Sequence, residues 1–345
     1  GATSHDAPVP FHWLATLLND APSPPTMDAL PVFDRFSIWS TSVDLGVTSA
    51  AALADARVIL DGVLVEVEQA ASRFRPNTEI FDLNASAGTG PFQASPMLFD
   101  LVAHGVHAAH VTSGACDPTV ADSLIALGYD RDYGALLDEG TIDSTHIRPS
   151  PGVSGIVLNA DQLTIELPDG VHLDLGATAK ARAADIAAEG IHAQLSVGVV
   201  VDIGGDLRVA GPAPVDGWMI GIADEPKDAE VRGHDGDAQE VVSISKGALA
   251  TSSSVVRHWN RSDTRHHHVI DPSTGWSVET PFRMVTISAG TCVEANAFST
   301  AAIVWGEDAL FEIPQRSLVA RLVRHDGTIE RLGGWPLPET EGGIA

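Results

Sequence analysis

The chain has 345 residues, 44% of them hydrophobic and 19% charged, which is typical of a globular protein of one large or two average domains. Its formal net charge of −26 repels the phosphate backbone of nucleic acids and leaves no polybasic patch for a membrane surface. Its two cysteines, Cys116 and Cys292, exclude a disulfide framework and a zinc motif, and no apolar stretch reaches the roughly 18 residues of a membrane span.

Helices and strands are predicted from hydrophobic spacing. Residues 1–30, rich in Ala, Pro and Ser, predict a flexible arm, and residues after about 334 predict a loose tail. Helices are predicted over residues 50–74, from Ser95-Pro96 onward, and over 178–195 and 294–304. Strands are predicted at 153–158, 162–167, 196–203, 217–222, 241–245, 266–270 and 283–289, with a charged surface loop at 224–240.

The elements do not repeat as strand–helix–strand units. This pattern favours an α+β fold, with mixed or antiparallel sheets and packed helices, over a doubly wound sheet. The predicted organisation is an arm over residues 1–30, one domain over 31–335 and a tail over 336–345. No charged start followed by an apolar segment is visible, so the sequence predicts no signal or anchor. The cellular location is left open, with the cytoplasm slightly favoured over export.

Two segments in the first half of the chain join polar residues to a helix end. In SRFRPNTEI (72–80), Phe74 stands between two arginines, where it either stacks on a planar ring or packs into the core. In GACDPTV (114–120), Asp117 is placed to cap a helix. Cys116 is more typical of a small buried residue than of a nucleophile, because no basic residue adjoins it.

Two further segments follow apolar strands. In LDLGATAK (173–180), backbone N–H groups of the turn can hold a phosphate, and Lys180 lies one turn into the next helix. The glycine spacing is not that of a Walker motif. In VDIGGD (201–206), the two glycines either let the backbone approach a ligand or form an ordinary turn.

The histidine run HHHVIDPSTG (266–275) offers a base. In a strand, His266 and His268 share one face and His267 takes the other. Two imidazoles without a third ligand do not make a closed metal site, so a single histidine acting as a base or hydrogen-bond donor is favoured.

The segment CVEANAFST (292–300) offers oxygen ligands. Asn296, Ser299 and Thr300 stand at i, i+3 and i+4, so their side-chain oxygens fall on one helix face. Hard oxygen ligands suit Mg²⁺, while the alternative is an Ala-rich helix that packs closely through small residues.

Taken in order, these segments resemble the ApbE family, the FAD:protein FMN transferases formerly described as thiamine biosynthesis lipoproteins. The resemblance runs from about residue 36 to 306 and includes ALATSSS (248–254) and a near match of HHHVIDPSTG to the family's H-H-I-I-D-P-x-T-G. The ordered set is specific, whereas any one segment is not.

The resemblance implies an ApbE-like flavin transferase domain over residues 31–335. It also implies a Mg²⁺-dependent enzyme that cleaves FAD, its substrate, attaches FMN to a Thr or Ser hydroxyl of an acceptor protein with an FMN-binding domain, and releases AMP. His268 takes the position of the base. The positions that correspond to flavin contacts are Trp39, Phe74, Ala115, Cys116, Asp117, Asp174, Lys180 and Ile270. The positions that correspond to metal ligands are Ala177 through its backbone, Asn296, Ser299 and Thr300.

Asn296 departs from the family pattern, which has a metal-binding Asp there. The amide removes one negative charge from the metal site, so we expect Mg²⁺ to bind mainly as a pair with the flavin phosphates. We also expect Asn296→Asp, a nearly isosteric change, to tighten metal binding with little effect on the fold. Two alternatives remain open at this point: a FAD-binding homologue without turnover, and a FAD pyrophosphatase that releases FMN and AMP to water.

Overall fold

The computed structural model describes residues 30–136, 140–142, 144–223 and 240–337. Within these ranges the strands are β1 (Val32–Ile38), β2 (Thr41–Val47), β3 (Phe92–Gln93), β4 (Val157–Asn159), β5 (Thr164–Glu166), β6 (Val199–Ile203), β7 (Asp206–Ala210), β8 (Trp218–Ile222), β9 (Glu240–Ile244), β10 (Gly247–Ser253), β11 (His258–Arg261), β12 (Thr264–His267), β13 (Phe282–Ala289), β14 (Val319–Arg324) and β15 (Ile329–Leu332). The helices are α1 (Leu53–Ala71), α2 (Glu79–Ala85), α3 (Pro96–Val111), α4 (Ala121–Ala126), α5 (Ala179–Leu195), α6 (Cys292–Trp305) and α7 (Ala309–Gln315).

An antiparallel sheet of eight strands, in the order β1-β2-β6-β7-β10-β13-β14-β15, forms the centre of the fold. Its middle strands are covered on both faces, as in β6, where Val199, Val200 and Val201 are all buried. A strand buried on both faces shows a continuous apolar run in the sequence rather than alternation. The predicted α+β class, with antiparallel sheets and packed helices, is confirmed.

Helices cover one face of this sheet. α5 contacts β6 and β7, α6 contacts β10 and β13, and α1 and α3 pack against these two helices. The alanines of α5, among them Ala181, Ala184 and Ala188, are fully buried. Because their side chains are small, α5 lies close to both the sheet and α1.

The hairpin β8–β9 covers part of the opposite face. Its Trp218 and Val242 pack with Val200 of the sheet and with Trp335 near the C-terminus. Glu240, the first residue of β9, is buried, and its carboxylate accepts hydrogen bonds from Trp335 Nε1 at 2.7 Å and Arg321 Nε at 2.8 Å. The predictions of a loop through residue 240 and of a loose tail after about 334 are therefore wrong at Glu240 and Trp335, because both residues are buried.

A second hairpin, β11–β12, stands outside the large sheet. It turns at Ser262 and Asp263, whose φ angles of 49° and 59° fit the tight turns that match strand twist. Trp259 of β11 is buried against Leu124 and Tyr129, which fixes the hairpin against the region around α4.

The predicted helices are present with ends shifted by a few residues, and α1 ends at Ala71 because Ser72 is extended. The predicted strand at 266–270 ends at His267. The sequence does not predict the strands β1, β2, β3, β7, β10, β11, β14 and β15. The predicted arm up to residue 29, the loop at 224–239 and the tail from 338 lie outside the described residues. Within the described ranges, no helix is both long enough and apolar enough to span a membrane.

Candidate active site

A cleft of about 470 Å³ lies where the large sheet, the start of α5, α6 and the end of the β11–β12 hairpin meet. Most of the residues predicted to form a site line it, although they come from segments spread over more than 200 residues of chain. They are Trp39, Phe74, Ala115, Cys116, Asp117, Asp174, Ala177, Lys180, His268, Ile270, Asn296 and Thr300. Ser299 does not line the cleft.

Aromatic rings and an ion pair form one wall. The Phe74 ring is half-buried, with its centroid 5.4 Å from that of Tyr129, and the Arg73 guanidinium lies 4.3 Å over the Phe74 ring. Arg73 also forms an ion pair with Asp174. Phe74 packs on Tyr129, as one interpretation of its segment predicts, and it also lines the cleft, so stacking on a planar ring stays a prediction.

Trp39 reaches the cleft from the turn between β1 and β2. Trp39 and Ser40 have φ angles of 52° and 55°, a left-handed conformation that is uncommon outside glycine. Both residues of this turn have positive φ angles, as in the two-residue hairpin turns whose twist matches that of the flanking strands. This unusual backbone aims a large ring at the cleft mouth.

The cap at Asp117 is confirmed. Its Oδ1 accepts from the Thr119 N–H at 2.8 Å and from Thr119 Oγ1 at 2.7 Å. Burial raises the pKa of Asp117, against the effect of these hydrogen bonds. Burial, followed by the charge of Asp117, raises the pKa of the Cys116 thiol to about 12. Cys116 is thus a protonated, buried thiol, as the sequence predicts, and not a nucleophile.

The turn before α5 does not offer a free cradle for phosphate. The Gly176 N–H donates to Asp174 Oδ1 at 2.8 Å, and the N–H groups of Thr178 and Ala179 donate to the Leu175 carbonyl at 3.0 and 2.8 Å. The expectation that the N–H groups of this turn hold a phosphate is therefore wrong for these three groups, because the turn uses them internally.

A chain of polar contacts links α5, β7 and α6 at the inner end of the cleft. Asp206, almost fully buried, accepts from Lys180 Nζ at 2.6 Å through Oδ2 and from Asn296 Nδ2 at 2.7 Å through Oδ1. The Thr300 hydroxyl lies 3.5 Å from Asn296 Oδ1. The carboxylate thereby orients the amide of Asn296 so that its oxygen lies on the Thr300 side.

Ser299 lies behind this chain of polar contacts and outside the cleft. It is fully buried, and its Oγ lies 2.7 Å from Ser252 Oγ on β10 and donates to the Asn296 carbonyl at 3.1 Å. Of the three residues on this helix face, Asn296 and Thr300 therefore line the cleft, whereas Ser299 packs against β10.

The oxygen ligands at the cleft are of the type that Mg²⁺ prefers, but they carry no negative charge. The cleft offers the Asn296 amide oxygen, the Thr300 hydroxyl and the exposed backbone of Ala177, all of them oxygen donors. The Asp206 carboxylate beside Asn296 is already engaged by Lys180 and Asn296. No group of three or more His, Cys, Asp or Glu side chains able to hold a metal occurs among the residues described. A cation here needs phosphate oxygens to complete both its ligands and its charge.

His268 faces the cleft, but His266 does not. β12 ends at His267, and both His266 and His267 line a separate cavity of about 520 Å³. The predicted sharing of one face by His266 and His268 is therefore wrong, because the strand ends between them. Burial, and next the charge of Arg257, lowers the pKa of His268 to about 3, so the imidazole is neutral.

Among the residues that sequence reasoning missed, Tyr129, Ser252 and Arg257 line the cleft, and Asp206 contacts the lining residues Lys180 and Asn296. Arg257 has a signal in the sequence, since pairing HWNR with TRHH across a Ser-Asp turn places it beside His268. Asp206 belongs to a segment that was noted, but its partners come from α5 and α6, which local patterns do not bring together.

The chain is similar in sequence and in structure to proteins of the ApbE family. The model of the ApbE family matches residues 39–322. The chain is 25% identical over 259 residues to the FAD:protein FMN transferase of Vibrio cholerae, covering 74% of this chain and 76% of that protein. It is 29% identical to the enzyme of the same name from Treponema pallidum, covering 75% and 77%. The crystal structure of the ApbE protein from Thermotoga maritima superposes with a TM-score of 0.74 at 26% identity, covering 88% of this chain and 97% of that one.

Proposed function

The chain belongs to the ApbE family and is a flavin transferase, and we propose that its cleft cleaves FAD and attaches FMN to a Ser or Thr hydroxyl of an acceptor protein. The observation that carries this proposal is the single cleft that combines an aromatic wall, a buried Lys–Asp–Asn chain and a neutral histidine. The aromatic wall at Phe74 and Tyr129 suits the flavin ring, and the Lys180 end suits the pyrophosphate.

His268 is the proposed base. Its Nδ1 lies 3.4 Å from the Arg257 carbonyl, which can only accept, so Nδ1 carries the proton and Nε2 carries the lone pair. The acceptor oxygen attacks the phosphorus atom of the FMN half of FAD. The bond from that phosphorus to the bridging oxygen breaks, and AMP leaves with the electron pair. Nε2 of His268 takes the hydroxyl proton.

Lys180 and Asn296, both held by the Asp206 carboxylate, lie where the pyrophosphate of the substrate would bind. In-line phosphoryl transfer depends mainly on positioning and on neutralising charge. Mg²⁺ bound by Asn296, Thr300 and the Ala177 backbone would supply that neutralisation together with the phosphates. Ser299 is a weaker candidate ligand than the resemblance implies, because it is fully buried and does not line the cleft. Asp206 orients the Asn296 amide, and its ion pair with Lys180 holds the start of α5 in place.

The test is incubation of the purified chain with FAD, Mg²⁺ and a purified FMN-binding acceptor domain. We expect the intact mass of the acceptor to rise by one FMN unit, with one AMP released per acceptor modified. Replacing the acceptor's Ser or Thr by Ala is the control, and it should abolish the mass change.

The same assay separates the two alternatives. AMP release at an equal rate without any acceptor would indicate a pyrophosphatase. FAD that stays intact with Mg²⁺ and acceptor present would indicate a binding protein without turnover. Either result would contradict the transferase proposal.

A further inference from the structure

We propose that Arg257 binds the phosphoryl group that moves from FAD to the acceptor, an assignment that rests on the proposed transfer reaction. The aromatic wall would then hold the flavin ring, Lys180 would lie at the pyrophosphate, and Arg257 would hold the phosphate of the FMN half, which reacts. The argument begins with the charges of the cleft.

Three Arg or Lys side chains line the cleft in the described part of the chain. Arg73 forms an ion pair with Asp174, and Lys180 forms one with Asp206. Arg257 contacts only neutral oxygens there: Nη1 lies 3.5 Å from the Tyr129 hydroxyl, and Nη2 lies 3.5 Å from the Trp39 carbonyl.

Both of these contacts are at the outer limit of a hydrogen bond, so the guanidinium is held loosely at the cleft wall. Arg257 therefore carries the cleft's unmatched positive charge among the residues described. A guanidinium fork matches the oxygens of a phosphate, which can be bound by two parallel N–H groups. In a protein with a net charge of −26, such a group is scarce, and its place in this cleft indicates an anionic ligand.

The position of Arg257 selects the reacting phosphate. In the β11–β12 hairpin His258 pairs with His267, and Arg257 and His268 lie directly beyond this last pair, where the strands end. The His268 N–H donates to the Arg257 carbonyl at 3.4 Å, and both side chains line the cleft. The two residues are therefore neighbours at the same end of the hairpin, on the wall of the cleft.

The base must lie within hydrogen-bond reach of the attacking hydroxyl, and that oxygen attacks the phosphorus atom. A guanidinium beside the base is therefore beside the phosphoryl group of the FMN half. As the new P–O bond forms and the bond to the AMP oxygen breaks, negative charge spreads over the other phosphate oxygens. Arg257 stabilises that charge, and the proton of the hydroxyl goes to His268.

A competing role for Arg257 is structural, because its two contacts could simply hold Tyr129 and the Trp39 turn. The two roles differ in what they do to ligands that lack a phosphate. A phosphate contact affects FAD and FMN but not riboflavin. A structural role affects all three, because each carries the same ring.

The experiment measures the Kd of FAD, FMN and riboflavin by flavin fluorescence, in EDTA so that no metal contributes, for the whole chain and for Arg257→Gln. Charge-assisted hydrogen bonds are about twice as strong as neutral ones, so losing one weakens binding measurably. We therefore expect FAD and FMN to bind at least about tenfold more weakly, with riboflavin within about twofold of the unchanged protein. Arg257→Lys should recover part of the loss, because it keeps the charge but not the fork. Arg265→Gln, on the same hairpin but lining the separate cavity, is the matched control and should change nothing.

An equal loss for riboflavin would overturn the proposal in favour of the structural role, and unchanged FAD and FMN affinities would remove Arg257 from the phosphate. These titrations need no acceptor and no turnover. A chain that binds FAD through Arg257 but never modifies an acceptor would contradict the transferase proposal alone. Where transfer occurs, Arg257→Gln should also lower kcat by about 10²-fold or more, as expected for losing a donor to developing charge.

Discussion

Asn296 lies between the buried carboxylate of Asp206 and the hydroxyl of Thr300, and its amide contacts both. Nδ2 donates to Asp206 at 2.7 Å, while Oδ1 lies 3.5 Å from the Thr300 hydroxyl. In Asn296→Asp the donor is lost, and two carboxylates face each other with Lys180 as their shared cation. Like charges at such a distance cannot both ionise without cost. The substitution is therefore not neutral for the fold, contrary to what its near-isosteric shape suggests.

We expect Asn296→Asp to lower the free energy of unfolding by about 1–3 kcal/mol without metal, the range for leaving a buried polar group without its partner. Mg²⁺ should raise the Tm of this variant more than that of the unchanged protein, because a carboxylate adds charge to the site. The measurement is thermal unfolding with and without Mg²⁺. Ser299→Ala is the control: because Ser299 faces Ser252, its Mg²⁺ response should match that of the unchanged chain. An unchanged response in Asn296→Asp would place the metal elsewhere.

His268 acts, in our proposal, only at the chemical step. His268→Ala should therefore leave FAD affinity within about twofold and slow transfer to the acceptor by roughly 10²-fold or more. The measurement is single-turnover AMP release alongside a flavin titration. His267→Gln is the control, because Gln keeps a donor for the Val278 carbonyl that His267 Nε2 now contacts at 2.9 Å. An unchanged transfer rate in His268→Ala would remove His268 from the mechanism.

At the scale of elements, α6 is anchored by another helix. Asp185 of α5 is fully buried, and its carboxylate accepts from the N–H groups of Cys292 and Val293 at 2.8 and 3.0 Å. These are the first two residues of α6, whose N–H groups have no partner within the helix. The buried carboxylate thereby fixes the end of the helix that carries Asn296 into the cleft.

Asp185→Asn turns one acceptor into a donor that faces a helix N–H. We expect a loss of about 1–3 kcal/mol in the free energy of unfolding, with a weaker Mg²⁺ effect on Tm because α6 shifts. Thr291→Ala removes the ordinary cap, a 3.3 Å contact to the Glu294 N–H, and should cost about 1 kcal/mol or less. Urea unfolding of both variants is the check. Equal losses of unfolding free energy in the two variants would show that Asp185 stabilises the start of α6 no more than the Thr291 cap does.

The elements that the sequence predicts well are those whose signal is local. The helical spacing of α1 and the Ser-Pro start of α3 lie within one segment, and so does the cap at Asp117. The strands β1 and β2 were missed because their alternation is short and polar residues interrupt it. The resemblance located most of the cleft, since it carries long-range order that periodicity lacks. It did not supply Asp206 or Arg257, whose roles depend on partners from other elements.

At the scale of the whole molecule, the surroundings of Glu240 and the hairpin beside the cleft respond differently to acid. Burial raises the pKa of Glu240, but hydrogen bonds from Trp335, Arg331 and Arg321 outweigh burial and hold the pKa below its usual value. Its carboxylate thus keeps its charge, and the contribution to stability, until the pH falls below the ordinary range of a glutamate. The hairpin beside the cleft behaves differently because its buried groups are neutral histidines.

Acid should loosen this histidine hairpin well before it affects Glu240. Burial lowers the pKa of His268 to about 3 and that of His267 to about 4, whereas an unfolded histidine titrates near 6.5. Below pH 6.5 the unfolded chain takes up protons that the folded chain does not, so the free energy of unfolding falls as the pH falls. At pH 5 the loss is about 2 kcal/mol for each histidine, at 1.36 kcal/mol per pH unit.

We therefore expect urea unfolding of the unchanged chain to weaken between pH 7 and pH 5 by about 2 kcal/mol more than that of His268→Gln, which has no such group to protonate. His110→Gln, at an exposed histidine, is the matched control for the substitution itself. Equal pH slopes for the unchanged chain and His268→Gln would show that the folded protein protonates His268 near the ordinary pH. Such a pKa would still leave the imidazole largely neutral at pH 7, so this outcome concerns the acid response and not the role of His268 as the base.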